Sequence, residues 1–144
     1  MNWLQKICKV LRHPKSKQIK SSLISLVFTD TSHKKIKKIL GKCVLGELGC
    51  RAGMKPMELH RLDCDTDHYD KIMRRYDVPK WLLDKNLPEL ELLNDDDFSI
   101  RNKYIFNETD HVSLSTWLFH LNDDFALTEP EIADFLETTF KDAV

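Results

Sequence analysis

A chain of 144 residues with 42% apolar and 31% charged side chains, 4 Gly and 5 Pro has enough material for one domain with its own core. It has no apolar run near the ~20 residues a membrane span requires. The formal net charge of −1 conceals a split, because residues 1–61 carry 14 Lys/Arg against 3 Asp/Glu and residues 62–144 carry 8 against 20. Either the basic half presents a face to an anionic partner, or the two halves attract one another within one fold. The opening stretch "MNWLQKICKVLRHPKSK" has neither an uninterrupted apolar h-region nor a small-residue cleavage site. A cytoplasmic location with reduced thiols is therefore expected.

Trp3, Leu4, Ile7, Cys8 and Leu11 recur at helical spacing, and Pro14 ends that helix because the residue before proline avoids the αR region. "SSLISLVF" (21–28) is a β-prone apolar run that suits a short strand or a short helix. The basic stretch 30–40 is expected as an exposed hairpin tip or loop. All four glycines then fall within "GKCVLGELGCRAG" (41–53). As a helix over about 42–52, this segment aligns Cys43, Gly46, Cys50 and Gly53 in one seam of small residues, leaving Lys42, Glu47 and Arg51 as its polar positions. An interior glycine costs roughly 1 kcal/mol relative to alanine, so close approach of another backbone is expected to offset it. Gly53 suits the left-handed position that ends a helix.

Asp63, Asp65 and Asp67 alternate like calcium ligands, but His68 and Arg74 occupy the positions where an EF-hand loop needs Gly and Glu. A helix over about 66–76, capped by Asp65 and buried through Tyr69, Ile72, Met73 and Tyr76, accounts for the same acids. Pro79 opens a further helical turn. Residues 87–110 are the least helical, with a turn at 94–97 and with Ile100, Tyr104 and Phe106 in a strand or an irregular covering segment. Leu114, Trp117, Leu118 and Leu121 mark another helix that ends at "NDD". Thr128 and Glu131 have capping-box spacing ahead of a last helix running to about Phe140. The expected fold is α+β and predominantly helical. It forms one domain over 1–144, with five or six helices and a small β element.

Most familiar chemistries are excluded by pattern. No Rossmann fingerprint, Walker A loop, G-x-S-x-G elbow, H-E-x-x-H pair or C-x-x-C motif occurs. His60, Cys64 and His68 fall at i, i+4 and i+8, which on one continuous helix would suit zinc and a metal-dependent enzyme. A new helix beginning near Asp65 breaks that face, so no metal, cofactor or catalytic residue is assigned. The pair of C-terminal helices is no DNA-reading helix-turn-helix, because Glu129, Glu131, Asp134 and Glu137 would repel phosphates. Contact with nucleic acid falls instead to Lys15, Lys17, Lys20, Lys34, Lys35, Lys37 and Lys38, and "SHKKIKKIL" brings no aromatic for base stacking. Asn122 and Asp123 close a helix just before a capped one, and they either satisfy backbone groups there or touch a ligand. The candidate binding residues are therefore Lys34, Lys35, Lys37, Lys38, Asn122 and Asp123.

The order "LRHPKSKQ", "GKCVLGELG", "YDVPKWLL", "LFHLND" and "FALTEPEIADFLE" resembles a family of small uncharacterised proteins from phages and prophages. The matching positions are Lys17-Gln18, Cys43 to Leu48, Val78-Pro79, Leu121 to Asp123, and Phe125 with Glu131 to Glu137. The chain departs from that family in its lysine-rich insertion around 29–41 and its acidic segment 94–97. The resemblance implies a helical α+β domain in a mobile-element setting and brings no activity with it. The function expected is a non-enzymatic interaction protein, with a protein partner ahead of a nucleic acid, no membrane, and a monomeric or homodimeric state.

Overall fold

The computed structural model describes residues 1–33, 35–62, 69–92 and 104–143. In these the fold is α+β. The first helix, α1 (Trp3–Arg12), buries the predicted stripe and closes its N-terminus with a capping box, Asn2 accepting from the Gln5 N–H at 2.8 Å and Gln5 accepting from the Asn2 N–H at 3.0 Å. Strands β1 (Ile24–Phe28) and β2 (Ile36–Lys42) pair antiparallel, with register shifts between Ser25 and Leu26 and between Val27 and Phe28. Within the apolar run at 21–28, residues 24–28 are thus a strand. The basic stretch beyond it is not merely a tip, since β2 begins at Ile36. The incoming chain flanks β2 at its far end, where Lys42 N–H donates to Lys17 O at 2.9 Å and Ile19 N–H donates to Lys42 O at 3.0 Å.

Helix α2 (Val44–Arg51) is central, and Val44 through Gly49 are six consecutive buried residues. The backbone that approaches its glycine seam is that of Leu23. A Cβ added at Gly46 would lie 1.7 Å from Leu23 O, whose carbonyl accepts the Cys43 N–H at 3.2 Å. Gly53, at φ +94°, ends the helix in the left-handed region. Helix α3 (Pro56–Leu62) follows, and α4 (Asp70–Arg74) starts later than the expected 66 and has no side-chain cap. Asp65, the cap expected for it, lies outside the described residues. Helix α5 (Lys80–Leu83) is a single turn, with Pro79 as its N-cap rather than its first residue.

Strands β3 (Leu87–Leu92) and β4 (Tyr104–Val112) form a second antiparallel hairpin. Its first strand was not anticipated, and the expected turn at 94–97 lies outside the described residues. The described residues hold seven helices and two two-stranded sheets, against the expected five or six helices and one small β element. Helices α6 (Leu114–Asp123) and α7 (Glu129–Phe140) complete the chain. The predicted Thr128–Glu131 capping box is present in both directions.

One apolar cluster joins these elements. Helix α7 lies along α1, where Trp3 meets Phe140 edge-on at 5.5 Å between ring centroids. Trp117 touches Phe106, Phe135 and Phe140 at 5.7–5.9 Å and donates its indole N–H to Pro88 O at 2.7 Å, tying α6 to β3. No helix among the described residues is long and apolar enough to cross a membrane.

Candidate functional site

Asn122 stands at a crossing of four segments. Its Oδ1 accepts from Gln18 Nε2 at 2.8 Å and from the Val44 N–H of α2 at 3.0 Å, while its Nδ2 donates to Ile19 O and to Asp123 Oδ1, each at 2.8 Å. Asp123 accepts the Ser21 N–H at 2.9 Å. Gln18 then links α6 to α7, donating to Leu127 O and accepting the Glu129 N–H. With Asn122 only 1% exposed and its amide groups fully engaged, this pair secures the N-terminal segment to α6.

Two buried carboxylates lie beside this crossing. Glu47, read from the sequence as a polar position of the helix, is fully buried and accepts the Lys15 N–H at 2.7 Å; Lys42 Nζ is 3.7 Å away and Arg51 3.6 Å. The flanking Lys42 and Arg51 were the only sequence signal for it. Glu129 is 1% exposed, and neither of its carboxylate oxygens meets a hydrogen-bond donor among the described residues. Burial, reinforced by the negative charge of Glu47, pushes its acid up to about 8. Thiol chemistry finds little support nearby. Burial pushes the Cys8 thiol up to about 12 and also raises Cys50, away from the thiolate form a nucleophile needs.

The β1–β2 hairpin holds the described part of the lysine set. Lys35, Lys37 and Lys38 are exposed and form no ion pair among the described residues; Lys34 lies outside them. Between these lysines, Val27, Ile39 and Leu40 are 36%, 37% and 46% exposed. Phe28 is occupied by His33, stacked at 4.6 Å, and by His60, edge-on at 5.4 Å. His60 is therefore packed on the hairpin, and its supposed metal partners Cys64 and His68 lie outside the described residues. Among the described residues no group of three or more His, Cys, Asp or Glu is placed to hold a metal.

One concavity was not anticipated. It is a cleft of about 610 Å³ between the start of α6, the start of α4 and the end of α5, within the range usual for small-molecule sites. Tyr69, Leu83 and Phe119 supply apolar wall, and Asp84 and Lys85 stand at its edge. Its polar wall is a run of hydroxyls. Ser115 donates to Asp70 Oδ1 at 3.2 Å, Ser113 Oγ is 2.9 Å from Ser115 Oγ, and Thr116 Oγ1 is 3.2 Å from Ser113 Oγ. His120, one turn beyond Thr116, is paired through Nδ1 with Asp124. Within "VSLSTWLFHLND" the hydroxyls look like ordinary capping residues, and only the tertiary contact with Asp70 sets them in a cleft.

No family model, curated protein or solved structure matches the chain.

Proposed function

We propose that this chain is a non-enzymatic interaction protein that engages an acidic segment of a protein partner through the β1–β2 hairpin. The observation that supports the reading is the exposure of Val27, Ile39 and Leu40 among Lys35, Lys37 and Lys38. Apolar side chains of this size on a strand gain about 25 cal/mol per Å² when covered, and the lysines beside them favour an anionic covering. Among the described residues no further strand pairs the outer edge of β2 ahead of Lys42, which leaves backbone groups that an extended segment can pair with. A phosphate backbone would use the lysines alone and leave the apolar residues wet, which is why a protein ranks ahead of a nucleic acid. The phage-family resemblance suggests a setting in a bacterial host and carries no weight in the choice of surface.

Nucleic-acid binding is the second reading, favoured by the further exposed lysines Lys15, Lys17 and Lys20 on the segment that flanks β2. A photo-crosslinking residue at position 40 tests the first reading in the producing cell. A discrete protein adduct, lost in the Lys37→Glu/Lys38→Glu variant, is the expected result. Oligonucleotide binding that falls steeply with salt, with no protein adduct, would replace it by the second reading.

A further inference from the structure

The hydroxyl run along the α6 cleft has a direction, and the direction selects the ligand. An ionised carboxylate only accepts, and a hydroxyl has a single hydrogen. Ser115 therefore spends its hydrogen on Asp70, 3.2 Å away. Ser113, at 2.9 Å, must then donate to Ser115, and Thr116, at 3.2 Å, must donate to Ser113. The hydrogens of Ser113, Ser115 and Thr116 are all turned toward Asp70. These groups therefore offer the cleft lone pairs, those of Thr116 Oγ1 and of the Asp70 carboxylate. His120, paired through Nδ1 with Asp124, also lines the cleft. Asp84 at the edge more than offsets the ammonium of Lys85 when Asp70 is counted with it.

We infer that this cleft binds a small organic cation bearing N–H donors, a primary amine or a short polyamine. Its ammonium is held by Asp70 and Thr116, and its methylenes lie against Phe119 and Leu83. Such an ammonium carries three donors and no acceptor, the complement of what the wall offers, and aromatic side chains beside a carboxylate favour a cation further. An anion, by contrast, would meet Asp70 and Asp84. The site shares no residue with the hairpin surface, so it stands or falls apart from the reading above.

Titration of the full chain with putrescine at physiological ionic strength, followed by amide NMR, tests this. Saturable shifts confined to Ser113, Ser115, Thr116 and Asp70 are expected. Asp70→Asn, which still accepts from Ser115, should weaken binding by about tenfold or more, the worth of one charge-assisted hydrogen bond. Thr116→Val should weaken it by a smaller factor. Tetramethylammonium, a cation without N–H donors, should bind markedly more weakly than putrescine. Equal affinity for tetramethylammonium would overturn the donor argument. Shifts spread over the acidic surface and indifferent to Asp70→Asn would overturn the site, as would inorganic phosphate moving the same amides more strongly than putrescine.

Discussion

At the scale of single residues, Glu129 is the least expected side chain in the fold. It stands at the first turn of α7, where a carboxylate usually faces solvent and the helix dipole, yet it is 1% exposed and has no donor for either oxygen among the described residues. Its acid is raised from 4.5 to about 8 by burial and by Glu47. Between those two values the folded chain holds a proton that the unfolded chain has released. Stability from this group is therefore complete below pH 4.5 and falls as pH rises through 8. Urea unfolding across pH 5 to 9 should give a declining midpoint, and Glu129→Gln should flatten the decline and exceed the parent at the alkaline end. A midpoint unchanged by pH in the parent would contradict the buried, unpaired carboxyl. Glu137, lowered by its hydrogen bond with Arg12, acts in the opposite sense and only below pH 4.5, so the two do not overlap.

At the scale of elements, α2 shows how a sequence pattern and a tertiary contact divide the work. The seam of small residues was legible, and so was the need for a close neighbour. That the neighbour is the Leu23 carbonyl was not, because nothing in a helical period names the segment across from it. Gly46→Ala sets two effects against each other. Alanine gains roughly 1 kcal/mol in helix propensity, but its methyl would sit 1.7 Å from that carbonyl. A backbone atom can yield only by moving β1, so overpacking, typically 1–3 kcal/mol and occasionally more, prevails. Chemical denaturation of Gly46→Ala should show a loss of about 3 kcal/mol or a failure to fold. Gly53→Ala, strained only by its positive φ and with open space around it, should lose about 1 kcal/mol. The ends of α1 and α7 were readable because their caps and stripes are local. Strand β3 was not, since Pro88 and the acids of "LPELEL" argue against a strand, and its pairing with β4 overrides them. The cleft escaped notice for a related reason, because its wall comes from separate elements and the Ser115–Asp70 contact joins residues 45 apart.

At the scale of the whole molecule, the opposed charges of the two halves meet at its surface. Arg12 bridges Asp134 at 2.9 Å and Glu137 at 2.5 Å, and Lys6 reaches Asp77 at 2.5 Å. These are partly exposed pairs, so Arg12→Ala should cost about 0.5–1 kcal/mol at low ionic strength. Thermal unfolding of the two proteins should converge as salt is raised toward a Debye length of about 3 Å, and a difference that persisted would assign the loss to packing instead. Lys35, Lys37 and Lys38 of the hairpin join no such pair among the described residues, which leaves the basic half only partly neutralised by the acidic one. The crossing at Asn122 has a consequence for synthesis. Gln18, Ile19, Ser21 and Val44 all find their partners on Asn122 and Asp123, and Gln18 also reaches Leu127 and Glu129. A nascent chain that has emerged only as far as its second hairpin carries these donors and acceptors with nothing to receive them. Its N-terminal third waits on α6 and the start of α7, so it cannot close until those helices have left the ribosome.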